Sequence, residues 1–206
     1  MADWFSTLGT PELLALAGAL GWASGFRLYA VVFLVGIAGA MGWMDLPSGL
    51  QVLQHPVLLG TSGFMLLVEF FADKIPVVDS LWDMVNSVVR IPAGAALAAG
   101  VFGADGGTVA LAAALLGGSL AATSQAAKTT TRAAINSSPE PFSNVAMSLA
   151  EDGLVVGAVW LATSHPLAFV VLLAITVVLM WIATWMLFKF LRAVFQRARS
   201  FFTVTA

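Results

Sequence analysis

Glu69 and Asp73 stand four residues apart in an apolar run, and Asp79 and Asp83 repeat that spacing after Pro76. Four-residue spacing puts each pair of carboxylates on one helix face. A carboxylate at the edge of a bilayer is costly unless it faces a cavity or a partner, where it can take up a cation or a proton. Lys128 and Arg132 form a basic pair at the same spacing, with Ser124 and Thr129 close by. Two cations, hydroxyls and the loose N–H groups of a helix end suit a phosphate or carboxylate. In a membrane that anion would be a lipid head group or a lipid-linked phosphate. Arg27 and Lys74 complete the candidate set, as substrate-binding or coupling groups. Each of these has a plain structural alternative. Glu69 could pair with Arg27 or Lys74 to lock two helices, and residues 123–140 could be an ordinary basic loop whose serines and threonines cap helices.

The elements that would hold these groups follow from composition. Of 206 residues, 60% are hydrophobic and 10% charged, against about 25% charged in soluble domains. The chain reads as an all-α integral membrane protein, a single transmembrane domain over 1–206. A formal charge of -2 with no basic arm gives nucleic acid nothing to hold. With no cysteine, disulfides, thiolate metal sites and a cysteine nucleophile are excluded. No metal-ligand cluster, nucleophile elbow, Walker loop or dinucleotide glycine pattern is present. No catalytic residue, metal or cofactor is therefore assigned.

A helix crossing the bilayer core needs about 20 residues. Leu167–Phe188 carries no charge and ends at Lys189 and Arg192. Before it come spans at Asn144–Thr163, Thr108–Ala126, a segment from near Met84 to Phe102, Pro56–Ala72 and Leu28–Trp43. Leu13–Ser24 is a short seventh span or a re-entrant half-helix, since Ser24-Gly25 invites a break before Arg27. The expectation is thus a compact bundle of 6-7 helices, broken near Ser24–Arg27 and again over Lys128–Glu140. Arg27, Lys74, Arg90, Lys128, Arg132 and the basic tail 189–206 fall on one side if the spans alternate. The positive-inside rule makes that side, and the C-terminus, cytoplasmic.

Small residues recur every fourth position at Ala17, Gly21, Gly25 and at Ala110, Ala114, Gly118, Ala122, Ala126. Such ladders let backbones approach in lipid, and leave room for a homo-oligomer. His55-Pro56 and His165-Pro166 both open apolar helices, as caps rather than a metal pair. Residues 72–82 and 150–160 share an alanine, an acid, a valine pair and a tryptophan at equal spacing. That echo suggests an internal, inverted repeat with halves 10–103 and 107–194, as in secondary transporters.

The segments Gly25–Tyr29, Val68–Asp83 and Arg90–Ala95 resemble a family of small bacterial membrane proteins known as domain of unknown function 4126. The resemblance rests on a core of Glu69, Ala72, Asp73, Lys74, Pro76, Asp79, Trp82 and Asp83. The chain departs from the pattern at Arg27, where an asparagine is usual, and by Ile91 between Arg90 and Pro92. The resemblance implies a bacterial inner membrane location and weight on Glu69–Asp83, and brings no activity. The residues themselves suggest a transport protein for a small ion or an anionic solute, lipid-linked or free, with a polar cavity open to the cytoplasm and lipids as partners. A scaffold or assembly partner with no substrate is the first alternative. An intramembrane enzyme acting on lipid, with Glu69 or Asp73 as base, is the second.

Overall fold

The computed structural model describes residues 9–75, 78–103, 106–136 and 141–204; the side chains of 141, 194, 195 and 197–204 lie outside that description. Pro76 and residues 137–140, the end of the second expected break, therefore lie outside the described residues. Six α-helices run in order: α1 (Thr10–Ala40), α2 (Pro56–Ala72), α3 (Val78–Gly100), α4 (Gly107–Ile135), α5 (Pro141–Ser164) and α6 (Pro166–Val204). A 3-10 helix, Ser48–Gln54, precedes α2 and meets it at 69°. Four helices, α1, α4, α5 and α6, are long and apolar enough to cross a membrane, or five elements if the bent 3-10/α2 pair is one span.

α1 is broken at Arg27, the residue inside it with non-helical φ/ψ. Two local features explain the position. Ser24 Oγ donates to the Gly21 carbonyl at 2.7 Å, a back-bond that bends helices. Gly25 presents no side chain to Ala121 and Ser124 of α4, so the backbones press together there. The arms before and after Arg27 are about 25 Å and about 20 Å long at roughly 1.5 Å per residue.

Glycine contacts fix the direction of each arm. Gly21 lies on Gly117 and Gly25 on Ala121, so the first arm runs parallel to α4, towards the α4 C-terminus. The second arm packs Gly36 on Leu53 and Gly63 of α2 on Phe33, antiparallel to α2. The 3-10 helix in turn meets the far end of α3, Gly49 on Gly100, with Ser48 beside Gly103. Both arms therefore start and finish at the end of the bundle that holds the α3–α4 connection, and Arg27 is the apex of a V. The break expected near Ser24–Arg27 is present. The one expected over Lys128–Glu140 is not found through Ile135, because α4 is continuous to there.

The buried seam of α4 is Ala113, Gly117, Ala121, Ser124, Gln125, Lys128 and Arg132. It is offset by one residue from the ladder Ala110–Ala126 read in the sequence, whose last member is exposed. The ladder Ala17, Gly21, Gly25 is buried as expected. His55 caps α2, its Nδ1 accepting from the Val57 N–H at 3.3 Å. The paired segments 72–82 and 150–160 differ in structure: the second is unbroken α5, while the first spans the end of α2, a turn and the start of α3.

Candidate functional site

α3 is amphipathic with its polar face turned inward. Asp79, Asp83, Asn86, Arg90 and Gly94 are buried, while Leu81, Met84, Val85, Val88 and Val89 are exposed. The span expected from near Met84 thus begins earlier, at Val78, and its first turns face the interior. α5 repeats the device with Asn144, Ser148 and Glu151, at helical spacing and 0–1% exposed. Helices that expose aliphatic side chains and bury charge suit an apolar solvent outside.

The buried groups converge on Arg27 and Lys128. Arg27, Glu69, Asp73, Asp79, Asp83, Arg90, Lys128, Arg132 and Glu151 are each 0–1% exposed. Lys128 Nζ stands 3.1 Å from Asp83 and 3.2 Å from Glu151, with Glu69 at 3.9 Å and Asp73 at 4.0 Å. It also donates to the Phe26 carbonyl at 3.0 Å, at the break in α1. One ammonium thus serves four carboxylates and a helix break.

The arginines close the cluster from three sides. Arg90 bridges Glu69 and Asp83, the latter at 2.8 Å, and donates to Gln125 Oε1 at 2.8 Å. Arg27 pairs with Asp73 at 2.6 Å and Asp152 at 2.8 Å, and donates to Ser148 Oγ at 2.6 Å. Arg132 meets Glu151 at 3.1 Å, Asp73 at 3.4 Å and Asp79 at 3.6 Å. Asp79 further accepts from Asn136 at 3.0 Å, and Asn144 donates to Asn136 Oδ1 at 2.9 Å. Glu69 Oε2, Asp73 Oδ1 and Asp83 Oδ2 are buried and accept no hydrogen bond among the described residues.

Seven of the eight residues singled out in the sequence meet here: Arg27, Glu69, Asp73, Asp79, Asp83, Lys128 and Arg132. Lys74 does not join them. Its ammonium donates to the Phe70 carbonyl at 3.0 Å and lies over the Phe70 ring, half-buried at the rim. Burial, followed by the charge of Arg27, holds it below the usual lysine range. The partner of Glu69 is Arg90, not the Arg27 or Lys74 that sequence reading allowed. Glu151, Asp152 and Arg90 were missed as site residues, although Asn144, Ser148 and Glu151 on one face of an apolar helix were a readable signal. No group of histidine, aspartate and glutamate among the described residues has the disposition of a metal site.

Depth follows from the two grooves that border α6. One groove is lined by Gly153, Gly157 and Leu161 of α5 and by Phe169, Leu173 and Thr176 of α6, the order of an antiparallel pair turning at His165. A second groove sets Ser119, Thr123 and Ala126 of α4 beside Trp181, Trp185 and Phe188 of α6, a parallel pair, so Lys128 and Arg132 stand at or beyond the end of the charge-free stretch 166–188. Lys189, at its end, lies 3.6 Å from the centre of the Trp185 ring, a pairing suited to the interface. The charge cluster therefore lies towards the end of the apolar slab marked by Phe188 and Lys189.

Long apolar helices around an interior of ionised side chains are the make-up of a polytopic integral membrane protein. Residues 14–188 match the family described as Domain of unknown function (DUF4126), and the chain belongs to that family. No curated protein and no solved structure matches it.

Proposed function

We propose that this is a membrane transport protein for a small monovalent cation, the proton foremost, acting through the buried cluster at the apex of α1. The observation that carries this is charge imbalance. Among the described residues five fully buried carboxylates face four fully buried cations, and at the rim Asp152 and Lys74 offset each other. An uncompensated buried charge is costly, and uptake of one positive charge removes the cost. The bare oxygens of Glu69, Asp73 and Asp83 are where it would be held. A helix broken beside buried charge, with its Phe26 carbonyl turned to the cluster, is the kind of backbone that coordinates coupling ions. An anionic or lipid-linked solute has less support, because Lys128 and Arg132 already face Asp73, Asp79, Asp83 and Glu151.

With this reading we place the cluster end of the bundle, and the α6 C-terminus, on the cytoplasmic side of a bacterial inner membrane, by the positive-inside rule. The two arms of α1 and helices α2 to α6 would then make seven crossings. The test is proton flux in proteoliposomes holding a pH-sensitive dye, under an imposed potential. Glu69→Gln should cut flux at least tenfold while the protein stays monodisperse and melts within a few degrees of wild type. Wild-type flux no greater than in empty vesicles would reject the proposal.

A scaffold is the second reading, and one observation favours it. Among the described residues every buried carboxylate has at least one ion-pair partner, and two apolar grooves, of about 300 and 610 Å³, are lined by none of the cluster residues. It predicts that Glu69→Gln lowers the melting temperature with no flux to lose. Asp73 as the base of a lipid enzyme gains nothing, since it is enclosed by Arg27, Lys128 and Arg132.

A further inference from the structure

The groove between α4 and α6, of about 610 Å³, is apolar along its length and ends beside charge. α4 gives it a floor of small residues, Ser119, Ala122, Thr123 and Ala126, and α6 a wall of Trp181, Trp185 and Phe188. The α4 hydroxyls are already satisfied: Ser119 and Thr123 donate to the Leu115 and Ser119 carbonyls of their own helix at 2.7 Å and 2.9 Å. The floor therefore has no hydroxyl donor to spare for a polar occupant and suits a hydrocarbon chain. The seven residue steps from Ser119 to Ala126, matched by Trp181 to Phe188, make the groove about 10 Å long. That is roughly two-thirds of one leaflet in a core about 30 Å thick.

The end of the groove at Phe188 carries unpaired cations. Lys189 Nζ lies 3.6 Å from the centre of the Trp185 ring, and Arg192 follows one turn later, on the face of Phe188 and Lys189. Both side chains are exposed and make no ion pair among the described residues, whereas Arg27, Arg90, Lys128 and Arg132 are each paired. The chain supplies no acid nearby. None follows Asp152 in the sequence, the cluster acids are held by the cluster cations, and Glu12 and Asp45 lie at the outer ends of the two α1 arms. Charge also decides between occupants. A second copy, related by a two-fold axis along the membrane normal, would bring its own Lys189 and Arg192 to the same depth, like charge against like. A negatively charged phospholipid instead brings an anion to the cations and hydrocarbon to the groove.

We propose that the α4–α6 groove holds one acyl chain of an anionic phospholipid, with Lys189 and Arg192 on its phosphate. Trp185, one turn inside Lys189, is at the level of the glycerol esters, where an indole N–H finds an acceptor. The chain lies against the outer side of α4, whose buried side carries Lys128 and Arg132. The bound lipid thus braces the helix that holds the charge cluster. The site lies outside that cluster and does not depend on the transport reading.

The test is thermal melting in detergent with dioleoylphosphatidylglycerol against dioleoylphosphatidylcholine at equal mole fraction. A lipid present at about a hundredfold its dissociation constant raises melting by roughly 5–10 °C in a chain of this length. Phosphatidylglycerol should do so, and phosphatidylcholine should reach less than about half that shift. Lys189→Gln with Arg192→Gln should raise the half-maximal lipid concentration at least about tenfold, with the lipid-free melting temperature within a few degrees of wild type. Ala126→Trp plugs the groove, leaves both cations in place and should abolish the shift. Ala126→Leu is the milder plug if the tryptophan variant does not melt cooperatively. Gly157→Leu, on the other groove, where a Cβ meets nothing within 4 Å, should respond like wild type. Equal shifts with the two lipids, or a full response in the double variant or the plugged protein, would refute the site. So would a loss of response in Gly157→Leu equal to that in Ala126→Trp. A matching shift with dihexanoylphosphatidylglycerol, which has the head group without the long chains, would refute the role of the groove. A wild-type dimer that Ala126→Trp breaks into monomers would give the groove to a second copy and overturn the proposal.

Discussion

Replacing Lys128 with methionine removes the ammonium shared by four carboxylates while keeping most of the side-chain volume. Lys128 Nζ lies within 4.0 Å of Glu69, Asp73, Asp83 and Glu151, and all five side chains are 0% or 1% exposed. The variant would leave five buried acids facing three arginines. Breaking a buried ion pair from one side typically costs about 3–5 kcal/mol, because the remaining charge loses its counter-ion. In a chain of this length about 1 kcal/mol corresponds to roughly 2–4 °C of melting temperature. Lys128→Met should therefore melt about 6–20 °C below wild type, read by tryptophan fluorescence in detergent. The diagnostic step is the second substitution. Glu151→Gln in the Lys128→Met background leaves four buried acids facing three arginines and so restores the net buried charge of the wild type. It should recover at least a third of the loss, a coupling of about 1 kcal/mol or more. A loss under 2 °C for the single variant would refute the central role given to this ammonium. A double variant less stable than the single one would refute the charge-balance argument behind the proposed function.

Two further outcomes follow from the packing and the ion pairs. Gly117→Ala should destabilise by about 1–3 kcal/mol, because a Cβ there would collide with Ala98 and the Gly94 carbonyl. Gly60→Ala on the open face of α2 meets nothing within 4 Å and should be neutral or slightly stabilising in the same melting assay. Arg90→Lys should not behave as a conservative change. A lysine cannot bridge Glu69, Asp83 and Gln125 in one plane, and a loss of about 2 kcal/mol is expected. Arg90→Lys melting like wild type would mean that charge alone, without the guanidinium fork, suffices there.

Most of the helix plan was legible because apolar runs and Pro, Gly and His punctuation mark helix ends directly, as at His55-Pro56 and Ser24-Gly25. The polar cluster was legible as a list of residues but not as a set of pairs. Glu69 and Arg90 are 21 residues apart on different helices, and only the packing of α2 against α3 chooses Arg90 over Arg27. Lys128 and Arg132 look like an anion site because a helical spacing shows which face they share, not what faces them. The opposing Glu151 lies on α5 and appeared in the sequence merely as part of an echo of Asp73. The offset of the α4 seam has a similar origin. Alanine and glycine are so frequent in 107–126 that several four-residue ladders exist, and Gly21 and Gly25 of α1 select the one through Gly117 and Ala121.

The inward polarity of α3 has a consequence for how the protein is made. Asp79, Asp83 and Arg90 lie on one segment, and α3 is not among the helices apolar enough to span alone. A charged residue near a helix centre costs about 2.5–3.5 kcal/mol at insertion, so the three together oppose release of α3 into lipid by several kcal/mol. Glu69, on the helix before, can pair with Arg90 at once, but the ammonium that steadies Asp83 belongs to Lys128, on a helix not yet synthesised. On the proposed topology α2 and α3 would therefore be retained, as a pair, at the insertion machinery until α4 arrives. Assembly of the charge cluster and integration into the bilayer become a single late event.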